Sequence, residues 1–267
     1  MSKALVLVSQ TESVRTLTLN RPSALNSFTQ QLHAELMAGL DAAAQDRQVR
    51  CIVITGAGRA FCTGQDLADP LVAPDPAAPA KNLGHAIELI YQPLVKRLRS
   101  LPIPVIAAVN GVAAGAGANL ALHCDLVVAA RSASFIQAFT KIGLVPDTGG
   151  TWLLPRLAGR ARALGLTLLA DKLSAADAER FGLIWKCVDD DTLADEVQSM
   201  ALRLACMPTN ALVATRRALD GAQHMTLDQA VAEEARLQAE LGFAHDYQEG
   251  VAAFLDKRAP RFVDRGA

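Results

Sequence analysis

Two similar segments in the first half of the chain constrain its fold more than any other feature. In each, a short apolar run (51–55 and 104–109) is followed by a stretch of glycine and other small residues (58–67 and 110–119). Apolar runs of this kind are typical of buried strands, and we expect each small-residue stretch to be a turn that leads into a helix. The first N–H groups of a helix are unpaired and bind anionic oxygen well. Two such turns facing one another would form an oxyanion hole, which suits reactions that pass through an enolate.

Strands and helices alternate along the first two hundred residues. Residues 14–19 alternate between apolar and polar side chains, which predicts a strand with one solvent-exposed face. A helix is predicted to begin at Ser27 as the N-cap, with Gln30 in the capping-box position and leucines at helical spacing after it. A further strand is predicted over residues 125–129. This order predicts an α/β fold with a mainly parallel sheet covered on both faces.

Two other segments have a different character. Residues 68–81 contain four prolines, which predicts a loop that is either a linker or a cover over a site. After about residue 200 the strand-like runs end, and three helices are predicted, over about 210–221, 227–242 and 247–257. We therefore divide the chain into a core domain of residues 1–200 and a C-terminal helical region of residues 201–267.

Composition and charge narrow the partners of the chain. Its net charge is −1 and it has no basic stripe with aromatic residues, so we expect no nucleic-acid partner. The apolar region 105–130 is interrupted by Asn110, Asn119, His123 and Asp125, so we expect no membrane span. Residues 1–10 do not resemble a signal peptide. The five cysteines are widely spaced, which argues against a disulfide framework or a zinc site and predicts a reduced, cytoplasmic protein.

A set of motifs carries a resemblance to a known family. Asn-Arg-Pro at 20–22, Leu-Asn-Ser at 25–27 and the two small-residue stretches follow the order and spacing of the crotonase (enoyl-CoA hydratase/isomerase) superfamily. The resemblance runs from about residue 5 to the C-terminus. Residues 135–155 are similar to the branch of the family that isomerises ring-1,2-epoxyphenylacetyl-CoA. The resemblance implies the crotonase (ClpP/crotonase-like) fold, a spiral of ββα units with a C-terminal helical region for trimerisation.

The resemblance also implies a set of site residues. It makes the backbone N–H groups of Gln65 and Ala116 the donors of the oxyanion hole, whereas the alternative is that both turns need glycine only for tight packing. It implies that the substrate is bound by Ala24, Leu25, Ala60, Phe61, Gly64, Asp66, Leu67, Gly115, Asn119, Phe139 and Lys257. For Asp66 the alternative is a cap of the following helix, and for Lys257 it is a plain surface lysine.

Asp147 is the leading catalytic candidate. It lies between an apolar stretch and the turn Thr148-Gly149-Gly150, where few other charges are near. Partial burial would raise the pKa of its carboxyl and suit it to be a general base for a carbon acid. From spacing alone, the alternative is an N-cap of the next helix. The resemblance favours catalysis, because isomerases of the family use an aspartate at this position.

The chain lacks the two carboxylates that hydratases of this family use to hold and activate water. The matching positions are Asn119 and Phe139, and neither side chain is a base at neutral pH. We therefore expect simple hydration to be poor.

Other polar side chains are expected to have structural roles. Asp125 is predicted to accept a hydrogen bond at a strand start, and Cys62 to be a small buried residue. The histidines show no metal-ligand spacing, and each is expected either at the surface or hydrogen-bonded: His33, His85, His123, His224 and His245.

These inferences predict an acyl-CoA isomerase that works through an oxyanion-stabilised enolate, with Asp147 moving one proton. The implied reactions are a double-bond shift in a 3-enoyl-CoA and conversion of ring-1,2-epoxyphenylacetyl-CoA to the oxepin-CoA. Coenzyme A would arrive with the substrate, without a metal or other cofactor. The expected assembly is a homotrimer or a dimer of trimers. The alternatives are an enoyl-CoA hydratase or related lyase, and a non-catalytic member that binds acyl-CoA or RNA.

Overall fold

A computed structural model describes residues 4–265. Its ten strands form two sheets, one of six strands and one of four. The strands are β1 (Val6–Thr11), β2 (Val14–Leu19), β3 (Cys51–Gly56), β4 (Ala60–Cys62), β5 (Val105–Val109), β6 (Val112–Ala114), β7 (Leu126–Ala130), β8 (Ser134–Ile136), β9 (Leu173–Ser174) and β10 (Lys186–Val188).

The chain passes repeatedly from the larger sheet to the smaller one. In the larger sheet the order is β1-β2-β3-β5-β7-β10, where only β1 and β2 pair antiparallel. In the smaller sheet β4, β6 and β8 are parallel and β9 is antiparallel to β8. Each of β3, β5 and β7 is thus followed by a strand of the smaller sheet. This alternation confirms the predicted spiral.

Helices cover the sheets and make up the end of the chain. They are α1 (Gln30–Gln45), α2 (Leu83–Ala86), α3 (Gln92–Ser100), α4 (Ala116–Leu122), α5 (Gly150–Leu169), α6 (Ala175–Arg180), α7 (Leu193–Ala205), α8 (Thr209–Ala222), α9 (Leu227–Gly242) and α10 (His245–Leu255). The three C-terminal helices α8 to α10 lie within two residues of their predicted bounds. The division of the chain at residue 200 stays a prediction; α7, which spans that position, packs on the larger sheet.

The predicted start of α1 is wrong. Its N-cap is Thr29, whose hydroxyl accepts a hydrogen bond from the N–H of Leu32, and not Ser27. Ser27 is buried before the helix, where its carbonyl accepts a hydrogen bond from the Arg21 guanidinium. Serine is a slightly better N-cap than threonine, so local capping preference did not select Thr29 over Ser27.

An apolar core fills the space between α1 and the strands. Leu32, Leu36 and Leu40 are fully buried on one face of α1, in the same core cluster as fully buried Leu17 and Ile54 of the larger sheet. Burying one such side chain stabilises the fold by roughly 1.5–3 kcal/mol. Among residues 4–265 no helix is long and apolar enough to cross a membrane.

His33 departs from the expectation that each histidine is exposed or hydrogen-bonded. It is 3% exposed, its ring stacks on Phe28 and lies edge-on to Tyr91, and neither ring nitrogen has a hydrogen-bond partner among the described residues. Burial lowers the pKa of His33 to about 4, although the negative charge of Asp69 acts in the opposite direction. The imidazole is therefore neutral in the folded protein near neutral pH.

We expect His33→Phe to reduce the acid sensitivity of folding. Between the ordinary histidine pKa of 6.5 and the folded value of about 4, the unfolded chain binds a proton that the folded one does not. Stability is therefore full above this window and falls as the pH drops through it, by up to about 3 kcal/mol for one histidine. Urea unfolding at pH 7 and pH 4.5 measures the effect. Exposed His85→Phe is the control, and an equal pH dependence in wild type and His33→Phe would refute the prediction.

Candidate active site

The two small-residue turns lie side by side. β4 and β6 pair in parallel, so both strands end at the same edge of the smaller sheet. Gly64, which follows β4, has a φ of 88° and lies against the backbone after β6. A Cβ atom at Gly64 would be 2.9 Å from the carbonyl oxygen of Ala114 and 3.3 Å from the backbone nitrogen of Ala116. The close approach therefore requires glycine at this position.

The second turn leads into a helix, as predicted. Ala116 is the first residue of α4, and Gly115 is its N-cap with a φ of 52°. The N–H of a first helical residue has no partner within the helix, and the helix dipole adds positive potential there. This arrangement leaves the Ala116 N–H suited to an oxyanion. Gly117 packs against β4, where a Cβ atom would lie 2.3 Å from the carbonyl oxygen of Cys62.

The first turn differs from the prediction, because no helix follows it. The chain continues through the proline-containing loop to α2, which begins at Leu83. The alternative that Asp66 caps a helix is therefore wrong. Its carboxylate accepts a hydrogen bond from the N–H of Ala68 and pairs with Arg21 at 2.9 Å. The Arg21 guanidinium and the Ala68 N–H hold the pKa of Asp66 below its ordinary value.

Gln65 is instead held by backbone pairing with Phe28. The Phe28 N–H donates to the Gly64 carbonyl at 2.7 Å, and the Asp66 N–H donates to the Phe28 carbonyl at 2.9 Å. These bonds fix the peptides on both sides of Gln65 without using its own N–H. In an oxyanion hole such fixed orientation matters as much as the donor itself.

Tyr91 is a site neighbour that the sequence analysis missed. Its hydroxyl donates to Oε1 of Gln65 at 2.7 Å, and its buried ring lies at the end of a π-helical segment, Ile87–Tyr91. Burial and the negative charge of Asp147 raise the pKa of Tyr91, so the phenol stays protonated. A π-helical turn has no reliable sequence signature, although such turns are frequent at functional sites.

Asp147 occupies a strained turn before α5. The next two residues, Thr148 and Gly149, have φ values of 51° and 74°. The N-cap of α5 is Gly149 and no side chain caps this helix, so the alternative role of Asp147 as an N-cap is not supported. Burial raises the pKa of Asp147 above its ordinary value, partly offset by the Thr148 hydroxyl, which donates to Oδ1 at 2.8 Å.

Asn119 and Phe139 lie beside the turns and help to hold them. The fully buried Asn119 donates from Nδ2 to the Asp147 carbonyl at 2.8 Å, and its Oδ1 accepts from Gln137 at 2.9 Å. The ring of Phe139 covers Gly115, where a Cβ atom would be 3.6 Å from Cζ. The structure thus places an amide clamp and an apolar wall at these positions.

Only some of the other predicted site residues lie next to the two turns. Leu25 accepts hydrogen bonds from Thr63 through its carbonyl, which links residues 24–25 to the first turn. Ala60 and Phe61 are buried in β4, so the Phe61 side chain belongs to the core. Leu67 is 57% exposed beside the turn. Lys257 is exposed after α10, and among residues 4–265 no hydrogen bond joins it to either turn.

The remaining polar side chains have structural roles. Asp125 accepts from the N–H of Val105 at the start of β5 and pairs with Arg216 at 2.9 Å, as predicted. Burial raises the pKa of the Cys62 thiol to about 12, which keeps it unreactive. Within the part of the chain that the structure describes, no group of three or more His, Cys, Asp or Glu side chains is placed to hold a metal ion.

The spiral of paired strands, with two backbone turns at one edge, defines the class of protein. Residues 9–265 match the model of the family described as enoyl-CoA hydratase/isomerase, and the chain belongs to that family. It is similar to 1,2-epoxyphenylacetyl-CoA isomerase of Escherichia coli K12, with 54% identity over 95% of this chain and 96% of that protein.

Two further relatives have hydratase names. A probable enoyl-CoA hydratase of Rhodobacter capsulatus is 48% identical over 95% of this chain and 96% of its own length. The crystal structure of enoyl-CoA hydratase from Bacillus anthracis has a TM-score of 0.90 at 31% identity, covering 98% of this chain and all of that chain. The family prediction and the predicted fold are thus confirmed.

Proposed function

We propose that this protein is an acyl-CoA isomerase in which Asp147 is the acid–base residue and the N–H groups of Gln65 and Ala116 form the oxyanion hole. One observation supports this proposal most. Asp147 is a partly buried carboxylate, and Asn119 of α4 donates a hydrogen bond to its carbonyl; α4 is also the helix that begins with the proposed donor Ala116. A reaction with one carboxylate moves a proton between two carbons of the substrate and adds nothing to it.

The proposed chemistry proceeds in two proton transfers. The Asp147 carboxylate removes a proton from the carbon next to the thioester carbonyl, and the electron pair moves onto the carbonyl oxygen, where the two N–H groups stabilise it. Protonated Asp147 then returns the proton to a carbon further along the conjugated system. In a 3-enoyl thioester, loss from C2 and gain at C4 move the double bond into conjugation.

The ring epoxide of phenylacetyl-CoA is the substrate that we propose for this site. The similarity to an isomerase of that name over nearly the whole chain supports it. The apolar Phe139 ring beside Gly115 also suits a hydrocarbon ring better than a bound water. The bond between the two epoxide carbons breaks as the seven-membered oxepin ring forms, and Asp147 moves one proton, so the product is an isomer of the substrate.

A comparison of three thioesters tests the proposal. We expect the purified protein to isomerise ring-epoxide and 3-enoyl thioesters, and to hydrate a 2-enoyl thioester at least about 10²-fold more slowly, since Asn119 and Phe139 supply no base. Product mass separates the reactions, because hydration adds one water and isomerisation adds none. Hydration as fast as isomerisation would refute the assignment and favour the hydratase alternative.

We also propose that the protein assembles as a homotrimer or a dimer of trimers through its C-terminal helices, and that it works in the cytoplasm. Large apolar side chains on and beside α9 and α10 are exposed in the single chain, among them Leu227 at 79%, Phe243 at 87% and Phe254 at 82%. Exposed apolar side chains concentrated in one region are typical of interaction surfaces. Light scattering at micromolar concentration measures the mass, and a monomer would contradict the assembly.

A further inference from the structure

The turn that carries Asp147 is held by two side chains from one face of α4. Asn119 lies in α4 and His123 is the C-cap of that helix, so the two side chains, four positions apart, are on the same side of it. Asn119 donates to the carbonyl of Asp147 at 2.8 Å, and Nε2 of His123 lies 2.9 Å from the carbonyl oxygen of Thr148. Two consecutive carbonyls of the turn are thus fixed by the helix that begins with Ala116.

The hydrogen bond between His123 and the turn fixes which ring nitrogen carries the proton. A carbonyl oxygen accepts hydrogen bonds and does not donate them, so Nε2 must carry the proton. Burial lowers the pKa of His123 to about 4, and the ring is therefore neutral with a bare Nδ1. Nδ1 is buried and has no hydrogen-bond partner among the described residues. The only hydrogen bond of the ring in that part of the chain is the one to Thr148.

The conformation of the turn needs such support. Thr148 is 2% exposed and adopts a φ of 51°, which a β-branched residue rarely does. Its hydroxyl donates to Oδ1 of Asp147, so the backbone of Thr148 sets where that hydroxyl and the carboxylate lie. Gly149 is pressed against the imidazole, where a Cβ atom would be 2.5 Å from Nε2 of His123.

We propose that His123 is a positioning residue of the reaction: by donating to the Thr148 carbonyl, it holds Asp147 in the geometry required for proton transfer. The inference rests on the proposed function of Asp147. His123 does not touch the substrate in this mechanism and acts only through the turn. Asn119 and His123 together make α4 a rigid link between the oxyanion hole and the base.

The position of His123 allows a test by chemical rescue. The residue also lines a cleft of about 490 Å³ between the start of α5 and α8, with Leu122, Trp152 and Arg216 among its other walls. In His123→Ala the lost imidazole leaves a space that joins this cleft, which gives free imidazole a route to the Thr148 carbonyl. Imidazole has an N–H to donate, whereas neutral 1-methylimidazole has nearly the same shape and none.

We expect His123→Ala to lower kcat roughly tenfold with little change in KM, as befits one lost hydrogen bond that supports the reacting geometry. Imidazole should restore most of the lost kcat, and 1-methylimidazole should not, at a pH where both are neutral. The matched control is His224→Ala, because the exposed His224 ring lies 6.5 Å from that of Trp152 without touching the turn. Equal rescue by both imidazoles would reduce His123 to a packing residue.

Two further variants keep the inference testable if the alanine variant fails to fold. His123→Gln has an amide N–H that can take the place of Nε2–H, so this variant should keep most of the wild-type kcat. His123→Leu fills the space without a donor, and its kcat should fall as in His123→Ala. Equal kcat values for these two would overturn the inference. If Asp147→Asn is inactive while His123→Ala works like wild type, only the role of His123 fails. If Asp147→Asn stays active, the proposed function itself fails.

Discussion

Asp147→Asn is expected to lower kcat by about 10²–10⁴-fold while fold and KM change little. This is the usual contribution of a general acid–base residue, and the amide cannot accept the proton at neutral pH. The substitution is nearly isosteric, and an asparagine at this position can still accept the hydrogen bond from Thr148. Steady-state kinetics with a 3-enoyl or ring-epoxide thioester measures the loss, and an unchanged KM assigns it to the chemical step.

Asp171→Asn is the matched control, because this aspartate is exposed on the loop after α5. It should leave kcat unchanged. The wild type should also lose activity as the pH falls through the raised pKa of Asp147, since only the ionised carboxylate removes a proton. That loss should occur at a higher pH than for an ordinary aspartate. An active Asp147→Asn enzyme would sink both the single-base mechanism and the isomerase assignment.

Ala116→Pro is expected to lower kcat by at least about 10²-fold, the usual cost of removing one donor from an oxyanion hole. The structure indicates that this substitution disturbs the helix little. Ala116 is the first residue of α4, where a helix tolerates proline because the N–H is not used within the helix. The substitution should therefore remove the donor and leave most of α4 in place.

The Ala116→Pro experiment needs a control for steric overlap, because Ala116 is only 3% exposed and a proline ring is larger than a methyl group. Circular dichroism and the melting temperature report whether the variant folds. Ala116→Gly keeps the N–H and removes only the methyl group, so it should retain activity within a few-fold of wild type. A folded proline variant with the turnover of the glycine variant would remove Ala116 from the mechanism.

Around the two turns, some elements were predicted correctly from the sequence and others were not. Buried strands β3 and β5 and the helix after Gly115 were predicted correctly, because apolar runs and glycine turns are local signals. A helix after the first turn was predicted on the same grounds and is absent. Gln65 is held instead by Phe28, which is far away in sequence, and no local pattern encodes such a bridge. The three-residue strands of the smaller sheet were also too short to recognise.

Some residues of the candidate site were predicted from the sequence, and others were recognised only in the structure. The resemblance to the family, carried by motifs in their order, led to Gln65, Ala116 and Asp147, since each lies in or beside one of those motifs. The contacts of Tyr91 and His123 were not predicted, because each residue reaches its partner across the fold: Tyr91 contacts Gln65, and His123 contacts Thr148.

The sequence by itself determined the family, the α/β alternation and the helical C-terminal region, and it predicts Asp147 as the one catalytic carboxylate. These depend on residue type, spacing and order, which are read along the chain. Only the tertiary structure decided that the first turn enters no helix, that Asn119 clamps the Asp147 turn and that His33 is buried without a partner. These facts depend on which distant segments meet when the two sheets and α4 pack together, and packing of that kind is a property of the whole fold.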